Sequence, residues 1–74
     1  MPSIHRGDVL LRVYAGSSFE LLDAITHEQI AIVPAIEFAI RIAADRHALL
    51  WQQNVDNRGR PLGEPVLLTP PMVH

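Results

Sequence analysis

A chain of 74 residues has room for one domain, and a domain of this size buries only about 60% of its unfolded surface. With no cysteine, disulfides, thiolate metal sites and cysteine nucleophiles are excluded, which leaves association with another copy as the stabilising device the sequence supports. Eight acidic against six basic residues, a formal charge of −2, give no general attraction to phosphate polymers or anionic membranes.

Residues 1–7 are polar and turn-prone and are expected to fray. Arg6-Gly7-Asp8 spells the adhesion tripeptide, a match short enough to arise by chance. Asp8 to Tyr14 is rich in strand formers, with Val9, Leu11 and Val13 on one side and Leu10, Arg12 and Tyr14 on the other. Ala15-Gly16-Ser17-Ser18 reads as a turn, and Phe19 to Ile25 as the returning arm of a hairpin. Neither arm has a cleanly polar side.

Thr26-His27-Glu28-Gln29 fits a capping box that would start a helix at His27. Against this, Ile30-Ala31-Ile32-Val33 is mostly β-branched and Val33 precedes a proline, which pushes it towards extended backbone. The favoured reading is a turn at 26–28, a strand at 29–33, and a helix with Pro34 in its first turn. That helix, to Arg46, is the one segment with sustained helical periodicity. Glu37, Arg41 and Asp45 form a narrow polar strip on an otherwise apolar cylinder, and Ala39 and Ala43 suit close packing on a sheet.

Ala48 to Val55 resumes the strand pattern, Asp56 to Gly63 is a long turn, and Glu64 to Thr69 returns before Pro70-Pro71 ends the ladder. The sum is an α+β domain over 1–74, flexible at about 1–7 and 70–74. It has a small, mostly antiparallel sheet of four to five strands with one helix packed on one face, in the order β-β-β-α-β-β.

The chemistry-bearing residues do not assemble into a motif. His5, His27, His47 and His74 lack the spacing that brings two ligands to one metal. Ser17 and Ser18 lie in turn sequence without a nucleophile elbow, and the four glycines are isolated. No catalytic, cofactor or metal site is expected, nor any cofactor. No apolar run approaches the about 20 residues of a membrane helix, so a soluble, cytoplasmic protein is expected.

The informative feature is apolar surplus. One helix covers one sheet face, and the other carries Leu10, Tyr14, Leu22, Leu50 and Leu67, or in the reversed register Val9, Leu11, Val13, Leu21, Trp51 and Leu68. Either set exceeds what a soluble monomer usually leaves to water. The expectation is a non-catalytic protein-binding or self-associating module, a homodimer formed by stacking of sheets or by pairing of edge strands, with the first set as interface. The competing cover is the chain's own ends folding over the patch. The alternative function is a single-stranded nucleic-acid binder using Arg12, Arg58, Arg60 and Trp51.

Overall fold

A computed structural model describes residues 3–15 and 18–69, the last through its main chain. Five strands, β1 (Val9–Tyr14), β2 (Ser18–Asp23), β3 (Gln29–Val33), β4 (Leu50–Val55) and β5 (Val66–Thr69), and one helix, α1 (Ile36–Asp45), follow the expected order. The strands form one open sheet, β3-β2-β1-β4-β5. Three pairings are antiparallel; the central one, β1 with β4, is parallel, so the sheet is mixed. A parallel partner cannot be reached by a tight turn, and the chain between β1 and β4 supplies β2, β3 and the helix that returns across the sheet. Of the turn expected at Ala15-Gly16-Ser17-Ser18, Ala15 is turn and Ser18 already belongs to β2, while Gly16 and Ser17, like the tail expected at 70–74, lie outside the described residues.

Local chemistry sets the element ends. Strand β2 stops at Asp23, short of the Ile25 expected, because the Asp23 carboxylate accepts the backbone N–H groups of Ile25 (2.8 Å) and Thr26 (2.9 Å) and folds the chain into a turn. The Thr26 hydroxyl is drawn into the same turn, accepting from the Glu28 N–H at 3.2 Å, so it caps no helix. Residues 29–33 are strand, as their β-branching indicates. The helix begins two residues later than expected: Ala35 is extended (φ −156°, ψ 158°) and occupies the cap position, so Pro34 lies outside the first turn. At the other end His47 is left-handed (φ 54°), its N–H bonds the Ala44 carbonyl and the Ala48 N–H bonds that of Ala43. This is the motif in which glycine usually terminates a helix, here carried by histidine.

Between α1 and the sheet lie Val9, Leu11, Leu21, Val33 and Leu50, with Ala39 and Ala43 as the fully buried helix residues. The two alanines bring the helix backbone close to the strands, and the strip of Glu37, Arg41 and Asp45 faces water. Phe38 and Ile40 remain 51% and 40% exposed, as the width of the helix's apolar arc foretold.

Two outcomes test this account. His47→Gly is expected to raise stability by about 1 kcal/mol in urea titration, because a left-handed conformation costs an L-residue about 1–2 kcal/mol that glycine does not incur. The bonds from Thr26 and Ile25 hold the Asp23 carboxyl below the 3.8 of a free aspartate. A depressed folded value means that the stabilisation is complete above the unfolded value and disappears as pH falls through the folded one. The stability gap between the parent and Asp23→Ala should therefore be largest near neutrality and close as the medium becomes more acid than the ordinary carboxylate range.

Candidate functional site

The sheet face turned away from α1 carries a second apolar cluster, Leu10 and Leu22 with Ala24 and Trp51. It is not open to water: Leu10, Leu22 and Trp51 are 2%, 1% and 4% exposed. Ile4 and Leu67 pack against it. Leu67 belongs to the sheet itself, so among the described residues the apolar side chains contributed from outside the strands are Ile4 and Ala24, which follows β2. Of Ser3–Gly7, within the stretch expected to fray, Ile4 is thus packed on this face.

Asp8 organises the junction. It is 6% exposed, and its Oδ2 accepts the Trp51 indole N–H at 3.0 Å and the His5 backbone N–H at 2.9 Å. Its backbone carbonyl accepts the Ala24 N–H. A buried carboxylate is tolerable only with such donors, and the indole N–H in turn needs an acceptor. The same burial withdraws Asp8 from any partner, which disposes of the adhesion-tripeptide reading of Arg6-Gly7-Asp8.

Beyond the cluster, the far end of this face is polar. Arg12 and Glu20 are cross-strand neighbours, 3.8 Å apart at Nη1 and Oε1, and form the one ion pair within 4 Å among the described residues. The Tyr14 hydroxyl donates to the same Glu20 oxygen at 2.9 Å. A shallow groove of about 440 Å³ lies here between Tyr14, Phe19, Glu20, Ile32 and Asn57. Ile32, on the edge strand opposite Glu20, is 71% exposed. The loop after β4 closes on Asp56, whose Oδ1 accepts the N–H groups of Arg58 (2.8 Å) and Arg60 (2.9 Å). Gly59 (φ 81°) sits against Tyr14, the hydroxyl lying 3.4 Å from where a β-carbon would stand, so the loop tip is fixed against β1.

Of the five residues expected at an interface, Leu10, Tyr14, Leu22 and Leu67 share this face. Leu50 does not: it pairs with Val9, is fully buried beneath the helix, and Trp51, paired with Leu10, takes the position assigned to it. The reversed register fails at the same strand, placing Trp51 with residues of the opposite face. The nucleic-acid set is likewise dispersed. Trp51 presents no ring for base stacking, Arg12 is committed to Glu20, and only Arg58 and Arg60 stand exposed on the surface. Sequence reasoning missed Ile4 and Asp8. The signal was present in an apolar residue and an acid flanking Gly7, but nothing local shows what they fold onto.

Both edges of the sheet resist extension. The β2–β3 register shifts between Leu21 and Leu22, and Pro34 follows β3; the β4–β5 register shifts between Leu50 and Trp51, and Pro65 precedes β5. Bulges and flanking prolines are devices that discourage edge-to-edge pairing. On the helix side, Leu62, Val66 and Leu68 with Gln52 and Asn54 line a second shallow depression of about 250 Å³. Among the described residues no group of three or more His, Asp or Glu gathers as a metal site, and no helix is long and apolar enough to cross a membrane. No family model, curated protein or solved structure matches the chain.

Asp8→Ala should cost about 1–3 kcal/mol in chemical denaturation, the usual penalty for a buried donor left without its partner. Asp8→Asn, which keeps an oxygen for the Trp51 and His5 N–H groups, should lose distinctly less. Equal losses for the two variants would show that charge, and not the acceptor, matters at this position.

Proposed function

We propose that the chain is a non-catalytic protein-binding module that associates with a second copy of itself, stacking the sheet face opposite α1 against its symmetry mate. The observation that carries this reading is the thinness of cover there: among the described residues, the apolar side chains set against Leu10, Leu22 and Trp51 from outside the strands are those of Ile4 and the small Ala24. The margin of the same face adds Ile32, highly exposed, and the half-buried Tyr14 and Leu67. Stacked sheets separated by about 10 Å bury this kind of content, whereas edge-to-edge growth is opposed by the bulges and prolines of β3 and β5. Arg12 and Glu20 leave the polar end without net charge, so two copies can meet in two-fold fashion with Arg12 of one near Glu20 of the other.

Sedimentation equilibrium over a wide concentration range tests the reading. A monomer–dimer equilibrium is expected, and Ile32→Ser and Leu67→Ser should each weaken it by about tenfold, or about 1.4 kcal/mol. Phe38→Ser, on the helix side, should leave it unchanged. A chain that remains monomeric throughout, or a dimer lost with Phe38→Ser and indifferent to Ile32→Ser, would refute it.

A further inference from the structure

We propose that Ser3–Gly7 is a hinged cover that closes the docking face in the free chain and swings away about Gly7 when a second copy binds; the proposal rests on the self-association read above and adds its regulation. The segment touches the face through one apolar side chain, Ile4, while Ser3, His5, Arg6 and Gly7 are exposed. Its described hydrogen bonds are both with Asp8: the His5 N–H to the carboxylate (2.9 Å) and the Asp8 N–H to the His5 carbonyl (3.0 Å). These close a turn at the root of the segment and tie none of it directly to the strands. Gly7, between that turn and β1, has φ 97°, a backbone state that favours glycine, and a β-carbon placed there would meet nothing within 4 Å. The pivot therefore has both the conformational freedom and the space to move.

Asp8 makes opening clean. Its carbonyl holds the Ala24 N–H and its carboxylate holds the Trp51 indole, and neither contact involves the cover. With the segment lifted, Leu10, Leu22 and Trp51 are uncovered while the Asp8 carboxylate gives up the His5 N–H and keeps the Trp51 indole N–H. The uncovered surface is apolar at its centre and bears the mutually neutralising Arg12 and Glu20 at its polar end, a composition that a second identical face matches without repulsion. Cover and second copy compete for the same residues, so each molecule must open before it can pair.

Trp51 is the sole tryptophan and reports directly on the cover. Two full-length variants open it by different means: Ile4→Ser removes its apolar contact, and Gly7→Ala strains its pivot without adding a clash. In dilute, monomeric samples both should raise acrylamide quenching of Trp51 by about threefold, and an open fraction increased about tenfold should tighten apparent dimerisation by about a hundredfold, because both partners must be open. Three results overturn the proposal: Trp51 as protected as in the parent; Trp51 exposed with dimerisation no tighter; or loss of the far-UV spectrum, which would make the segment an integral part of the fold. A parent that dimerises while neither variant changes disposes of the cover alone. A parent and variants that stay monomeric with Trp51 exposed in the variants dispose of the self-association on which the proposal rests, although the segment itself opens.

Discussion

Parallel pairing of β1 with β4 is the constraint from which the rest of this fold follows. Two parallel strands side by side cannot be joined by a hairpin, so the intervening chain must leave the sheet, cross it and return. Here the hairpin β1–β2 and the edge strand β3 are laid down first, and α1 carries the chain back over one face to enter β4 beside β1. A single crossover supplies a single helix, and a single helix covers one face. The second face must find its cover elsewhere, and what the described chain offers is Ser3–Gly7 with Ile4 at its centre.

The same pairing decides which residues lie on which side. Val9 opposite Leu50 and Leu10 opposite Trp51 place Leu50 under the helix and the tryptophan on the far face. The consequence is chemical as well as geometric. An indole buried on a face without a helix needs an acceptor for its N–H, and Asp8, one residue ahead of β1, provides it. The carboxylate thereby becomes a fixed part of the sheet, and the polar pair Arg12 and Glu20, with Tyr14 bonded to it, finishes the face at its other end. The face is thus organised as an apolar centre bounded by Asp8 at one end and by the Arg12–Glu20 pair at the other, where the Arg12 Nε is buried without a hydrogen-bond partner.

Much of this architecture was legible in the residues because the signals were local. The β-branched run Ile30–Val33 before Pro34 outweighed the capping-box pattern at Thr26, and the structure shows why, with Asp23 taking the Ile25 and Thr26 N–H groups for a turn. The paired alanines of the helix marked the side that lies on the sheet, and the breadth of its apolar arc foretold the exposure of Phe38 and Ile40. What was not legible depended on distant partners. The parity of β4 relative to β1 is fixed by a pairing some 40 residues apart in sequence, and periodicity alone constrains each strand separately. For the same reason Leu10, Tyr14, Leu22 and Leu67, grouped from the sequence on one face, do share it, whereas Leu50, grouped with them, lies on the other. The role of Ile4 and Asp8 was hidden because a short polar segment ahead of a strand gives no local indication of where it folds. Tertiary contact, not propensity, places it.

The central claim is that one apolar face of this sheet is permanently shielded by a helix and the other only provisionally by a short segment at the start of the chain. Native-state amide hydrogen exchange addresses it most directly, since opening of the segment and opening of the sheet are separate events on the scale of protection. The account expects the N–H groups of His5 and Asp8 to exchange through a local opening, insensitive to low concentrations of denaturant, while those of Leu11 and Leu21 exchange only on global unfolding. If His5 and Asp8 are protected to the same degree as Leu11 and Leu21 and respond to denaturant in parallel with them, the segment is as firmly held as the helix and the account is wrong.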